Sequence, residues 1–221
     1  MAELDKNQFY IAVDAVVFTI LHNQLKLLLI KRKNEPFKGK FALPGGFVER
    51  DENLEDAAKR ELEEETGVKN IFLKKMHAFG DVGRDPRGRV ISIPFLALID
   101  AEELKLHATD DAELAKWGSV DSLPKHELAF DHKEIIKEAL GLLRFELKET
   151  NIAFEIMPKR FTLTELQRAY EIILDKQLDK RNFRKQIFEL SLLKEHSETK
   201  MEGAHRPAKL FSFKEKQYKM L

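Results

Sequence analysis

The stretch Gly46–Val68, GFVERDENLEDAAKRELEEETGV, limits what this chain can fold into more than any other part of it. Leu54, Ala57, Ala58 and Leu62 recur at the period of an amphipathic helix, and Gly67 stands where a left-handed cap ends one. The predicted helix crowds Glu61, Glu63, Glu64 and Glu65 into its last turns. Carboxylates at that negative end of the helix dipole cost ~0.3–1 kcal/mol each at exposed sites. Like charges three or four residues apart add a few tenths of a kcal/mol per pair. Glu61, Glu64 and Glu65 share one helix face, so a hard divalent cation among them would turn repulsion into binding. An oxygen-only ligand set selects Mg²⁺ or Mn²⁺ over zinc, and Mg²⁺ held by a few carboxylates works with substrate phosphates. Arg60 can neutralise Glu64 one turn on. Gly45-Gly46 permits close backbone approach, so the Gly46 carbonyl is a further candidate ligand.

A bare run of glutamates is usually a solvated helix face, and the spacing decides against that here. The segment fits G-x5-E-x7-R-E-U-x-E-E-x-G-U through Gly46, Glu52, Arg60, Glu61, Leu62, Glu64, Glu65, Gly67 and Val68. Seven fixed identities at ordinary residue usage arise by chance on the order of 10⁻⁹ to 10⁻⁸ per start position. This is the Nudix box, and residues 1 to about 146 resemble the Nudix hydrolase family. The resemblance implies an α/β/α sandwich and Mg²⁺-dependent cleavage of a nucleoside diphosphate linked to another group. It also implies roles: Glu61 and Glu65 as metal ligands, Glu64 as ligand or water activator, Glu52 orienting the loop and Arg60 the helix. A general base outside the box is found in several such families, and HATDDAELAKW offers Asp110, Asp111 and Glu113. An acidic surface loop explains them equally well.

Around the box, FYIAVDAVVFTI and LKLLLIKR read as a hairpin joined by LHNQ, and FALPGG as a short strand ended by Pro44-Gly45-Gly46. IFLKKMHAFG and RVISIPFLALI read as further strands, and Asp131 to Leu147 as a closing helix. Strands on both sides of a helix, followed by another helix, point to a layered α/β domain. The loop between the latter strands carries Arg84, Arg87 and Arg89, whose guanidinium forks suit pyrophosphate and ribose oxygens; a turn with charged flanks explains them equally well. Its wording, RDPRGRVIS, resembles the ADP-ribose pyrophosphatase branch and the Nudix-related transcriptional regulators, which makes ADP-ribose the expected ligand. Cleavage would yield AMP and ribose 5-phosphate.

Composition brings in the second half of the chain. Net charge is zero, yet residues 156–221 hold 15 Lys/Arg against 9 Asp/Glu, and residues 1–155 hold 23 against 29. A basic region on an acidic body points to two domains, one of which meets a polyanion, and a chance split of solvated charges is the alternative. From Phe161 the pattern reads helix, turn, helix, hairpin. Thr162-Leu163-Thr164-Glu165 is a capping-box signature, and Asp179 can cap a second helix reaching to about Leu193. Its apolar face is Phe183, Ile187 and Leu190, with Phe188 beside it, and its basic cluster is Lys180, Arg181, Arg184 and Lys185. That arrangement suits a recognition helix, and a hairpin bearing Lys200 and Arg206 suits a basic wing. A helical appendage used for dimerisation is the alternative.

Together the halves resemble the Nudix-related regulators, with MPKRFTLTELQRAYEIIL and LDKRNFRKQIFEL carrying the C-terminal likeness. The resemblance implies a Nudix domain over residues 1–146, a linker over 147–160 and a winged helix-turn-helix over 161–221. It implies operator DNA as partner and a homodimer on a two-fold operator. Regulators of this type often have a degraded box, whereas this one is intact, so hydrolysis and sensing are expected together. The alternatives are a plain pyrophosphatase and a catalytically silent sensor of a sugar or nucleotide sugar. The absence of cysteine, of a basic leader and of any apolar run near ~20 residues points to a soluble cytoplasmic protein without a membrane span. The seven histidines lack zinc-ligand spacing and read as structural.

Overall fold

The computed structural model describes Asp5 and residues 8–100, 112–125, 127–201 and 207–214, the side chains of 112, 113, 124 and 125 excepted. The chain forms two compact units, Met1–Leu21 with Leu25–Gly141, and Leu142–Leu221 with His22–Gln24. No described helix is long and apolar enough to cross a membrane.

The first unit is built on a mixed sheet of seven strands. Strands β1 (Phe9–Leu21) and β2 (Gln24–Arg32) are neighbours joined at His22 and Asn23. Both turn residues are left-handed, with φ of 53° and 58°, the conformation whose twist suits a two-residue hairpin. Strands β3 (Phe41–Ala42) and β4 (Gly45–Phe47) follow, β3 on β2 and β4 antiparallel on β1. Here the sequence expectation changes: Gly45 and Gly46 do not end a strand but form one. They must lie close to β1, for a Cβ on Gly45 would stand 2.2 Å from the Val13 carbonyl oxygen. Only glycine permits that approach.

Helix α1 (Leu54–Thr66) buries Ala57, Ala58 and Leu62 against Val13, Ala15, Val17, Leu28, Phe95 and Ala97 of the sheet. Gly67 caps it with φ of 77°, its N–H bonded to the Glu63 carbonyl. Strand β5 (Lys74–Lys75) is far shorter than IFLKKMHAFG foretells. Its partner β6 (Arg89–Leu98) contains Pro94, which accepts from Met76 N–H at 2.8 Å but has no N–H to return, so the ladder stops there. Strand β6 pairs parallel with β1 over its length. Strand β7 (Ala112–Ser119), unread in the sequence, pairs antiparallel with β2. On β1 the alternate residues Val16 and Phe18 are as buried as Val13 and Val17, so both faces of the sheet are covered.

Helix α2 (His132–Glu149) begins in the first unit and ends in the second. Residues 150–160, expected as part of a linker, are largely buried; Thr150, Asn151, Ile152 and Ala153 are at most 2 % exposed. In the second unit β8 (Phe161–Thr162) leads into α3 (Leu163–Leu174) through the foreseen capping box. Glu165 N–H reaches the Thr162 hydroxyl at 3.1 Å, and Thr162 N–H reaches the Glu165 carboxylate at 2.6 Å. Helix α4 (Lys180–Glu189) is capped by Asp179 through Asn182 N–H. It stops short of Leu193 because Ser191 turns left-handed, with φ of 54°. Strands β9 (Leu193–Lys200) and β10 (Ala208–Phe213) form an antiparallel hairpin, and β10 also pairs with β8. Phe161, Leu166, Ile173, Phe183, Ile187 and Phe211 are its core.

Candidate functional site

Two places carry chemistry, one in each unit. In the first, α1 and β4 set the glutamates against the glycines. The Glu61 carboxylate packs on Gly46 so closely that a Cβ there would fall 2.3 Å from Glu61 Oε1. Gly45 N–H donates to Glu65 Oε2 at 2.8 Å. Glu65 is 6 % exposed, and its burial, with Glu61 and Asp14 adding to it, pushes its pKa up to about 8 despite the Gly45 hydrogen bond. Burial also raises Glu61, against the pull of Arg60.

Arg60 ties the box together. It bonds both carboxylate oxygens of Glu52 at 3.0 and 2.6 Å, the Phe47 carbonyl at 3.2 Å, Glu61 Oε1 at 2.8 Å and Glu64 Oε2 at 3.3 Å. Glu52 in turn accepts Glu49 N–H at 2.7 Å, closing the loop before the helix; Arg60 holds its carboxyl below the usual range. The Glu64 side chain is 59 % exposed. Among the described residues no group of three or more His, Asp or Glu side chains is set to hold a metal ion. The expected trio is therefore a pair, the buried Glu65 and the half-buried Glu61, with the exposed Glu64 bonded to Arg60. That pair fits a hard divalent cation: all its donors are oxygens, and burial, full for Glu65 and partial for Glu61, strips hydration from both carboxylates.

The arginines of the 84–89 loop divide. The Arg84 side chain is buried and forked onto Asp131 at 2.8 and 2.6 Å, which makes it a strut in the wall of the adjoining pocket. Arg89 donates to the carbonyls of Gly80 and Asp81 and lies over Phe9. Of the three, Arg87 alone reaches the part of the cleft that holds Glu61 and Glu65, bonded to Asp85 and resting 4.8 Å from the Phe47 ring centre. Asp110 and Asp111 lie outside the described residues, and so does the side chain of Glu113 on β7.

Sequence reasoning missed Asp14, Arg32, Phe47, Asp85, Phe130 and His132, which line the adjoining pocket. Asp14 is the one signal that stood in plain view, a lone charge inside an apolar strand. Its carboxylate accepts the Ser92 hydroxyl and faces His132 Nε2 at 3.4 Å. His132 Nδ1 accepts Leu43 N–H at 2.9 Å, so Nε2 carries the proton of the neutral ring, and burial lowers the pKa of that ring. His132 thus links Leu43 to Asp14 and also lines the pocket. The two pockets share Arg32, Gly45, Gly46, Phe47 and Arg87 and are parts of one cleft.

In the second unit, α4 buries Phe183 and Ile187 and leaves Lys180, Arg181 and Lys185 exposed with Arg184 half-buried. Leu190 and Phe188, expected on the apolar face, are 39 % and 50 % exposed. Lys200 pairs with Glu165 at 2.5 Å. Arg206 lies outside the described residues.

Comparison with known proteins agrees with this division. Residues 11–139 match the model of the NUDIX domain, and residues 153–213 that of the NrtR DNA-binding winged helix domain. The ADPR responsive transcriptional repressor NtrR of Acinetobacter baylyi is 36 % identical over 218 residues, 96 % of this chain and 86 % of that protein. The ADP-ribose pyrophosphatase of Methanocaldococcus jannaschii is 47 % identical over 136 residues, 62 % of this chain and 78 % of that one. Shewanella oneidensis NrtR, crystallised with a 27mer DNA, superposes with a TM-score of 0.82 at 32 % identity, covering 92 % of this chain and 93 % of that one. Its NUDIX domain has also been crystallised with ADP ribose; that structure gives a TM-score of 0.58 at 33 % identity, over 64 % of this chain and 95 % of that one.

Proposed function

The chain belongs to the NUDIX family, and from that premise we propose that it is an ADP-ribose-responsive transcriptional regulator. ADP-ribose binds in the cleft of the first unit, and the winged helix of the second binds operator DNA and releases it when ligand is present. We infer further that the Nudix site hydrolyses its ligand. Water adds to one phosphorus, the P–O–P bridge breaks, and AMP and ribose 5-phosphate leave.

Nudix hydrolases generally use divalent metal ions, and Mg²⁺, or Mn²⁺ in its place, suits this donor set. Glu61 and Glu65 would hold it, with the Gly46 carbonyl and Glu64 as further ligands. Such an ion supplies polarised phosphoryl oxygens and a bound water of lowered pKa. The chain's own part is placement. Arg60 fixes the pitch of Glu61 and Glu64, Glu52 fixes Arg60, and Arg87 offers positive charge to the diphosphate. The Asp110–Glu113 segment is the proposed source of a base outside the box. On the DNA side, Lys180, Arg181, Arg184, Lys185, Lys200 and Arg206 would meet the operator, and a two-fold operator would require a homodimer.

The observation that carries this reading is the pairing of a buried and a half-buried carboxylate with the glycine backbone in one unit and an uncovered basic helix in the other. It is tested on the full chain in two steps. ADP-ribose with Mg²⁺ should yield AMP, and Glu64→Gln or EDTA should stop it. A duplex selected from a random library should be bound, lose its protein when ADP-ribose is added, and bind more weakly as salt rises. The double change Arg184→Ala with Lys185→Ala should abolish the gel shift and leave AMP formation intact. A shift insensitive to salt and to that double change would refute the regulator.

A further inference from the structure

Helix α4 is packed better at one end than at the other. Phe183 and Ile187 are buried, Phe183 edge-on to the Tyr170 ring at 5.3 Å, and the exposed Phe188 ring meets Phe211 at 5.9 Å. Those anchors serve the middle of the helix and its C-terminal end. The first turn, Lys180, Arg181 and Asn182, is exposed and has no apolar side chain to bury. It carries part of the basic cluster, so its place must be set by the chain that leads into it.

That chain is the turn between α3 and α4. Asp175 ends α3 in a left-handed conformation, with φ of 52°, and Asp175, Lys176 and Gln177 are all exposed. Leu178 is where the turn is caught. Its N–H donates to Glu171 Oε1 at 3.0 Å, and its carbonyl accepts Gln167 Nε2 at 2.9 Å. Gln167 Nε2 also donates to Glu171 Oε1 at 3.1 Å, so the two side chains close a ring of hydrogen bonds around one residue of the backbone. They stand four residues apart on one face of α3. The Glu171 side chain is 17 % exposed, and Arg168 lies 3.9 Å from its second oxygen.

Neither helix needs this ring to end or to begin. Asp175 and Lys176 N–H already close α3 on the Glu171 carbonyl, and Asp179 opens α4 on Asn182 N–H. The ring adds a fixed point ahead of Lys180, which together with Phe183 and Ile187 sets the pitch and roll of α4. Attraction between long cationic side chains and phosphates survives a small rotation of the helix, because it falls off slowly with distance. Base edges must be met at hydrogen-bond distance and angle, and do not survive it.

We propose that Gln167 and Glu171 are positioning residues for sequence readout: by clamping Leu178 they hold the first turn of α4 at the angle its side chains need to reach base edges. The proposal rests on the reading of α4 as the recognition helix, and adds the pair that makes it selective.

The test is fluorescence anisotropy of the full chain on two duplexes of equal length, one selected from a random library with the parent and one of scrambled sequence. Glu171→Ala should weaken the selected duplex about tenfold and leave the scrambled one within about twofold, because the phosphate contacts persist. Glu171→Gln, whose amide oxygen can still take Leu178 N–H, should stay within about threefold of the parent on both. ADP-ribose affinity, read by calorimetry, should be unchanged in either variant. A merely structural brace would lower both duplexes together in step with the melting temperature. Equal losses on the two duplexes, an unaltered preference in Glu171→Ala, or a Glu171→Gln as unselective as Glu171→Ala would each overturn the proposal. Should Glu171→Ala melt far below the parent, Gln167→Ala, which leaves Glu171 on Leu178 N–H, decides: it must lose selectivity by a smaller margin, and parent-like selectivity there counts against the clamp. A parent that binds both duplexes alike would instead remove the operator reading, and the clamp with it.

Discussion

Replacing Glu65 with Gln separates what the site costs from what it does. In the folded chain the Glu65 carboxyl is held up to about 8, mainly by burial, against about 4.5 in the unfolded chain. A carboxyl raised by folding favours the fold fully only below its unfolded pKa. As pH rises from about 4.5, the unfolded chain ionises and the folded chain does not, so stability is lost until pH passes about 8. At pH 7 the loss spans roughly 2.5 pH units, or about 3 kcal/mol at 1.36 kcal/mol per unit. Gln cannot ionise, and its amide oxygen can still accept Gly45 N–H. Glu65→Gln should therefore stabilise the metal-free first unit by about 1–3 kcal/mol at pH 7, after allowance for imperfect amide packing. At ~2–4 °C per kcal/mol this raises its melting temperature by about 2–12 °C. The same change should remove Mg²⁺-dependent AMP formation and the rise in melting temperature that Mg²⁺ gives the parent. Calorimetry in EDTA at pH 5, 6, 7 and 8 reads the effect directly. A variant less stable than the parent at pH 8, or a difference that does not shrink towards pH 5, would refute the account of the buried carboxylate.

Arg60→Ala removes the hub joining Glu52, Glu61, Glu64 and the Phe47 carbonyl, and should lower unfolding stability in urea by about 2–4 kcal/mol while also suppressing AMP formation. A loss below about 0.5 kcal/mol would mean that the network is a surface feature of little weight. Thr162→Ala breaks the capping box at α3 and should cost the second unit about 1 kcal/mol, seen as an earlier transition of that unit, with ADP-ribose affinity unaltered.

Much of this molecule is local enough to read along the chain. Helical spacing alone places Glu61 and Glu65 one turn apart on the same face, and Gly67 ends the helix because it alone takes φ of 77° at no cost. The capping box, the Asp179 cap and the buried Phe183–Ile187 stripe likewise depend on offsets of three or four residues. The Glu64 side chain shows where that reasoning stops: spacing puts it on the right face, but its rotamer follows Arg60.

The cleft itself was decided at a distance. Asp14 comes from β1, Arg32 from the end of β2, Arg87 from a loop and Phe130 from the turn before α2, and nothing along the chain says that they meet. Arg84 and Arg87 look alike in the sequence, yet Asp131, 47 residues from Arg84, forks that guanidinium into the wall of one pocket, whereas Arg87 pairs with nearby Asp85 and also reaches the glutamates' side of the cleft. Likewise Pro94 shortens a strand that its own sequence would have extended, because a ladder needs donors from both partners. Periodicity and capping belong to the backbone and its nearest neighbours, so sequence determined them; which charge is neutralised and which is left for a ligand depends on partners that only the packed sheet brings together.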